Sequence, residues 1–262
     1  MSQQVLLYGY SSIAIVLVLF LVIIALNEVG FRIGRFVQSR TDSEVKSLTG
    51  SIQASILGLL ALLLGFTFSM SMQRFDSRSM ALIDEANAIG TAILRVQLLP
   101  STYRQDAKTL LNDYVKLRVE IGKLDLTKKN ERLSYNREIG QLQKKLWLLG
   151  VKATAEDPRP VTTGAFISSL NELIDSQGKR NALLQMQVPE VVVLLLFVVF
   201  ISSGGIMGYS AGLSGTRMLV PIVLVSTLIA LIVFIIIDLD RPKRGLIKVN
   251  QSVMVDLLKK GE

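Results

Sequence analysis

Few residues of the sequence have the types and spacing that catalysis requires. The segment from Gly208 to Gly212 matches the G-x-S-x-G pattern around a hydrolase nucleophile. It ends a long apolar run instead of following a sheet strand, and the sequence has no histidine to serve as the base of a triad. The sequence also has no cysteine, which excludes thiol catalysis and thiolate metal sites. We therefore predict that the protein is not an enzyme and has neither a cofactor nor a metal site.

Two carboxylates at the end of another apolar run need partners. Asp238 and Asp240 are followed directly by Arg241. Acidic groups at a membrane edge are costly unless they are paired, so a structural lock that involves Arg241 is the favoured interpretation. A cation site is the weaker alternative, because two carboxylates fall short of a calcium shell.

The second apolar run carries the most unusual pattern of the sequence, a stripe of mostly small and polar residues. Its members recur at alternating spacings of four and three, as in a heptad seam. Sequence alone slightly favours a helix–helix contact face. The alternative is a pore wall, which symmetric copies would present to a central axis, with bulky apolar neighbours forming a dewetting constriction. The members are Ser51, Ser55, Gly58, Leu62, Gly65, Ser69 and Met72.

Two arginines follow this stripe at helical spacing. Arg74 and Arg78 lie four residues apart, on one face of a helix. Rings of arginine at a pore mouth would attract anions. The commoner role of such residues is to anchor a helix at the membrane surface and to contact phosphates.

Two further helix faces carry distinctive residues. Asp84 and Asn87 belong to a polar stripe that fits the wet face of a helix, and the neighbouring Glu85 is placed to pair with other helices. Glycines at spacings of four let helices approach closely in lipid, although a flexible helix end is the alternative. These glycines are Gly204, Gly208 and Gly212.

The hydropathy pattern indicates an all-α membrane protein with four transmembrane helices. Four uncharged runs each exceed the roughly 20 residues that cross a bilayer. The second helix has no proline until Pro100, so we expect it to continue beyond the membrane to residue 99. The predicted spans are 1–27, 51–73, 189–213 and 218–238.

The segments between the spans predict the topology. Residues 74–188 form a helical domain inserted between helices 2 and 3, and 239–262 form a tail. Basic residues near the helix ends favour a cytoplasmic position for the N-terminus, this domain and the tail, which leaves 28–50 as an extracytoplasmic loop. In a bacterium, the membrane would be the inner membrane. The net charge of +8 is dispersed, so we expect contact with anionic lipid and no nucleic-acid binding.

Several motifs resemble those of the bestrophin-like domain family of bacterial and plant membrane proteins, a remote relative of the bestrophins. The resemblance runs from about Gly50 to the C-terminus. The most specific motifs are 84–91 and 238–245, and they are accompanied by 58–69, 74–78 and 98–100.

The resemblance carries functional implications. True bestrophins are homopentameric anion channels whose second span lines a hydrophobic neck and continues into a cytosolic helical domain. By that likeness, the neck of this protein falls around Leu62, Gly65, Phe66 and Ser69. The acidic run of the bestrophin calcium clasp has no counterpart after the fourth span, so calcium gating is not expected.

We therefore predict a homo-oligomeric ion channel that conducts small inorganic anions, with the second span lining the pore and a pentamer as the assembly that the resemblance implies. The alternative is a non-conducting membrane scaffold or sensor, whose basic cytoplasmic domain recruits a partner or anionic lipid.

Overall fold

The computed structural model describes residues 10–124, 129–217, 219–242 and 245–261, and every regular element in these ranges is a helix. The predicted all-helical fold is confirmed. Residues 1–9 of the first predicted span and Met218 at the start of the fourth lie outside the described residues. The α-helices are α1 (Ser12–Val37), α2 (Ser43–Arg95), α3 (Ser101–Lys123), α4 (Lys129–Glu156), α5 (Ala165–Gln185), α6 (Glu190–Ser214), α7 (Leu219–Asp240) and α8 (Ser252–Gly261).

Four of these helices, α1, α2, α6 and α7, are long and apolar enough to cross a membrane. This agrees with the four uncharged runs of the sequence. The protein is accordingly an integral membrane protein, with four membrane-length helices among the residues that the structure describes.

The prediction of a loop over 28–50 is wrong for most of that segment. Helix α1 continues to Val37, a short 3-10 turn covers Gln38–Arg40, and α2 begins at Ser43. One turn of α1 is bridged by Arg32, whose Nε donates a hydrogen bond to Glu28 Oε1 over 2.8 Å. Such i, i+4 ion pairs favour the helix. Charged residues end an apolar run in the sequence, but they do not interrupt helical hydrogen bonding. The helix therefore continues past the end of the uncharged run.

Helix α2 is a single helix of 53 residues, which corresponds to about 80 Å at 1.5 Å per residue. It ends slightly before the predicted residue 99, because the last turn tightens into a 3-10 turn over Val96–Leu98. The Leu99 amide closes this turn by donating to the Val96 carbonyl over 3.1 Å. Pro100 then precedes α3, where its missing amide hydrogen costs no helical hydrogen bond.

The chain divides into two compact units. The first unit extends to Gln73 and includes Gln187–Arg241, so it holds α1, the first part of α2, α6 and α7. Its apolar core is built from four helices. The buried residues of that core are Leu19, Ile23, Leu60, Leu64, Leu196, Phe200, Ile229, Val233, Ile236 and Ile237.

The second unit comprises Arg74–Met186 and the described residues from Pro242 onward. It holds the rest of α2 together with α3, α4, α5 and α8. Its core contains a larger apolar cluster, to which α8 contributes Met254. Central buried members are Ile89, Ala92, Leu111, Tyr114, Leu146, Phe166, Leu170 and Leu173.

Candidate functional site

Helix α2 has two contrasting faces in the first unit. One face is buried at spacings of four, three and four. It is formed by Leu60, Leu64, Thr67 and Ser71, of which Leu60 and Leu64 join the apolar core. The residues predicted to line a pore are all exposed in the single chain: Ser51, Ser55, Gly58, Leu62, Gly65, Phe66, Ser69 and Met72.

The glycines of this exposed face pack against no other described part of the chain. A Cβ atom built on Gly58 or on Gly65 would have no described neighbour within 4 Å. Glycine in a helix interior costs roughly 0.5–1 kcal/mol relative to alanine. The described contacts of one chain therefore give no reason for glycine at these two positions.

The serines at the start of this face satisfy their own hydroxyl groups. Ser51 Oγ donates to the Ser47 carbonyl over 3.2 Å, and Ser55 Oγ donates to the Ser51 carbonyl over 3.0 Å. Such back-bonding fills the donor capacity of a helical serine without a second helix. The hydroxyl oxygens keep free lone pairs, so this end of the face is weakly polar.

Arg78 does not share the exposed face of α2. It is only 3% exposed and lies about two and a half helical turns beyond Ser69, which places it on the opposite side. Its Nη2 donates to the Met186 carbonyl over 2.6 Å, and its Nε donates to the Leu183 carbonyl over 3.3 Å. Arg78 thus caps the C-terminus of α5, a geometry that does not fit a ring of arginines on the stripe. Arg74 is half-buried, and its attraction of anions remains a prediction.

Glu85 lies at the centre of a buried ionic cluster in the second unit. Arg118 binds both of its oxygens, from Nε to Oε1 over 2.5 Å and from Nη2 to Oε2 over 2.7 Å. Arg180 Nη1 donates to the same Oε2 over 2.7 Å. The side chains of Glu85, Arg118 and Arg180 are 0%, 1% and 5% exposed, so all three charges are removed from water.

The two arginines of this cluster differ in their electrostatic surroundings. Burial opposes the charge of Arg118, but the bidentate Glu85 carboxylate outweighs it and raises the pKa of Arg118. Burial lowers the pKa of Arg180, and Glu85, which it shares with Arg118, offsets only part of that effect. Both guanidinium groups keep their charge at neutral pH, since arginine pKa values start above about 12. One carboxylate thus faces two cations.

Arg118 and Arg180 were not singled out as site residues, although the sequence holds a signal for them. Arg118 follows Leu111 by seven residues on the buried face of α3. Arg180 follows Leu173 by the same interval on α5. A charged residue at an apolar position of a helical repeat predicts a buried ion pair.

The other predicted residues near Glu85 are superficial. Asp84 accepts a hydrogen bond from Lys179 Nζ over 2.9 Å, with both side chains well exposed. Asn87 is exposed. Asp84 and Asn87 thus lie on the wet face of α2, whereas Glu85 is buried.

Asp238, Asp240 and Arg241 are all buried at the end of α7. Asp240 Oδ2 accepts a hydrogen bond from the Val188 amide over 2.9 Å, and Arg241 Nη1 donates to the Tyr10 carbonyl. These contacts join the end of α7 to the residues that immediately precede α1 and α6. No group of three or more metal-ligating side chains occurs in the part of the chain that the structure describes.

The glycine stripe of α6 faces α1. A Cβ atom on Gly208 would collide with the Asn27 carbonyl, and one on Gly212 would collide with the Phe31 carbonyl. A Cβ atom on Gly204 would lie 2.9 Å from Ile23 Cγ2. Asn27 Nδ2 also donates to the Gly204 carbonyl over 3.2 Å, which is a polar contact inside the apolar bundle. The backbones of α1 and α6 are therefore close enough to exclude side chains at this face.

Comparison with known proteins places these features in a family. A model of the bestrophin-like domain matches residues 19–254. A search of curated proteins found no match.

Solved structures with a similar fold cover nearly the whole chain. A singly substituted bacterial bestrophin homologue from Klebsiella pneumoniae is 17% identical, with a TM-score of 0.67 over 96% of this chain and 97% of that one. Another structure of a bestrophin homologue from the same organism is 17% identical, with a TM-score of 0.63 over 91% and 95%. A structure described as a membrane protein is 18% identical, with a TM-score of 0.63 over 94% and 96%. At these identities, the likeness concerns the fold.

Proposed function

Because the chain belongs to the bestrophin-like domain family, we propose that it forms a homo-oligomeric membrane ion channel that conducts small inorganic anions. The first part of α2 lines the pore in this proposal. The N-terminus, the second unit and the C-terminal tail lie on the cytoplasmic side, which the basic residues near the helix ends favour. The family likeness favours a ring of five copies.

One observation carries this proposal. The stripe from Ser51 to Met72 is exposed along its whole length, and its glycines Gly58 and Gly65 meet no described atom of their own chain. In a bilayer, small residues on a helix face allow either a close backbone neighbour or open space. Copies arranged about a central axis provide both, because adjacent α2 helices approach each other while the stripe faces an aqueous path.

The chemistry of the stripe fits a weakly selective path for anions. Leu62 and Phe66 supply bulky apolar groups in its middle, which can form a constriction that opens by wetting. Ser51 and Ser55 provide polar groups at its start without fixed charge. The stripe itself holds no acidic side chain that would repel an anion.

The test combines assembly with transport. The full chain is purified, its subunit number is determined by imaging in nanodiscs, and chloride efflux is measured from liposomes that contain it. A ring with the stripe facing its axis and protein-dependent efflux are the expected results. A folded oligomer without efflux, or a dimer with the stripe sealed against another helix, overturns the proposal and favours the non-conducting scaffold or sensor.

A further inference from the structure

The second unit contains a basic cavity of about 150 Å³. Four of its described lining residues are cationic and none is acidic. The cationic residues come from α2, α3, α5 and the segment that precedes α8, so the cavity is formed by separate parts of the chain. They are Arg78, Lys123, Arg180 and Lys248.

We propose that this cavity binds a phosphate group, either as free phosphate or phosphomonoester or as the headgroup of a phosphomonoester lipid. This site is separate from the stripe on α2, so the proposal does not depend on conduction. It rests on the charge of the cavity, on its size and on the hydrogen bonds that hold Arg180 in its wall.

The charge balance behind the cavity favours an anion. Glu85 is the one carboxylate that Arg118 and Arg180 share, so this buried trio carries one excess positive charge. Arg180 also lines the cavity. Uncompensated buried charge is costly, and an anion placed against Arg180 would offset it.

The two lysines complete the anion site from the solvent side. Lys123 and Lys248 are both exposed, and neither forms an ion pair with a described residue. Lysine is a flexible point charge that commonly binds phosphate. The lysines can therefore close over a ligand that enters from water, while the buried Arg180 stays fixed.

The cavity wall next to Arg180 is pre-organised. Arg180 Nη2 donates to Gln251 Oε1 over 3.0 Å, while Nη1 binds Glu85. Gly122 makes room for this arrangement, because a Cβ atom there would lie 2.9 Å from Gln251 Oε1. The planar guanidinium group is thus held in one orientation, which favours recognition of an oxyanion.

The size of the cavity selects the ligand class. A volume of about 150 Å³ is large enough to hold several water molecules. A phosphate group fits this space, whereas drug-sized ligands occupy sites of about 300–1,000 Å³. The rest of a larger phosphorylated molecule would extend past the exposed lysines.

The experiment is a titration of inorganic phosphate into the purified full chain in phosphatidylcholine nanodiscs. Binding is measured by calorimetry and by the rise of the melting temperature, at ionic strength matched with gluconate. Ligand that binds only the folded state raises the melting temperature in a saturable manner. We expect saturable binding, and the absence of any effect beyond ionic strength would overturn the proposal.

The matched variants separate a defined site from general charge. The double substitution Lys123→Ala with Lys248→Ala should weaken phosphate binding by at least about tenfold, which is the effect of losing about one charge-assisted hydrogen bond. The control is Lys144→Ala with Lys152→Ala, which removes the same charge from exposed positions of α4 outside the cavity. Equal affinities of the two double variants would overturn the proposal.

Phosphatidic acid in the nanodisc distinguishes the source of the phosphate group. If that lipid competes with phosphate in the unaltered chain but not in the Lys123/Lys248 variant, the headgroup is the ligand. If phosphatidic acid leaves phosphate binding to the unaltered chain unchanged, the ligand is free phosphate or a soluble phosphomonoester. Both results support the cavity as a phosphate site, whereas competition that is equal in the two proteins contradicts it.

Discussion

Arg118 and Glu85 form a bidentate ion pair in which both side chains are excluded from solvent, with nitrogen–oxygen distances of 2.5 and 2.7 Å. A buried pair does not by itself make a fold more stable than apolar packing would. Removing one partner, however, leaves the other charge buried and uncompensated, which destabilises the fold strongly. Loss of the Glu85 carboxylate would affect two cations, since Arg180 pairs with the same carboxylate.

The first prediction follows from this sharing. Glu85→Gln should destabilise the second unit by about 3–5 kcal/mol, because it leaves two buried guanidinium groups without a carboxylate. The matched control is Asp84→Asn, which neutralises an exposed partner of Lys179 and should cost at most about 1 kcal/mol. Denaturant unfolding of the detergent-solubilised protein measures both. Equal effects of the two substitutions would show that the buried cluster has no special role.

The second prediction concerns the contact between α1 and α6. Gly208→Ala should destabilise the protein by about 1–3 kcal/mol or prevent folding, because the new methyl group collides with the Asn27 carbonyl and the backbone must shift. Gly205→Ala adds the same methyl group to α6 three residues earlier, where no described atom outside the helix's own backbone lies within 4 Å. It should be neutral or slightly stabilising, since alanine is the better helix former. Thermal unfolding of the two variants checks the contrast, and the reverse order would contradict it.

The third prediction addresses the exposed stripe. Gly65→Val should leave the unfolding free energy within about 1 kcal/mol of the unaltered chain, because Gly65 is exposed and a Cβ atom there has no described neighbour within 4 Å outside its own helix backbone. It should nevertheless reduce chloride efflux from liposomes strongly, since valine narrows the proposed constriction. Efflux that is unchanged in a folded oligomer would show that this face does not line the path.

The fourth prediction tests the topology. The sequence contains no cysteine, so a single Lys144→Cys substitution on the exposed surface of α4 introduces the only thiol. A membrane-impermeant maleimide should label it in inverted bacterial membrane vesicles and leave it unlabelled in intact spheroplasts. Labelling in spheroplasts alone would place the second unit on the outer side.

Much of the architecture was predictable from the sequence, because the membrane-length helices coincide with long runs of uncharged, mostly apolar residues. Uncharged runs predict the four membrane-length helices, and Pro100 predicts the end of the long second helix. Helix α1 extends past the predicted boundary at residue 27 because Glu28 and Arg32 end the apolar run but form an ion pair that supports the helix.

The candidate site was predictable only in part, because tertiary partners decide which way a charged side chain points. The position of Arg78 along α2 does not predict whether its side chain faces water, lipid or another helix. Its burial follows from the carbonyl groups at the end of α5, which accept its hydrogen bonds and lie more than 100 residues away in the sequence. The partners of Glu85 lie 33 and 95 residues away in the sequence, beyond the reach of local spacing. The close approach of Gly30 and Gly34 of α1 to the α6 backbone was not predictable from hydropathy, because both glycines lie beyond the uncharged run, in a segment that also holds Glu28 and Arg32.

The most direct test of the central claim is chemical modification of Ser69→Cys in the otherwise cysteine-free chain during an anion-efflux assay in liposomes. Ser69 lies on the exposed stripe of α2, and the control Leu21→Cys lies on an exposed apolar face of α1, where lipid is expected. If α2 lines an anion path, a negatively charged methanethiosulfonate should block efflux through the Ser69 variant and leave the Leu21 variant unaffected. Efflux that persists after verified modification at position 69 would contradict a pore lined by this face.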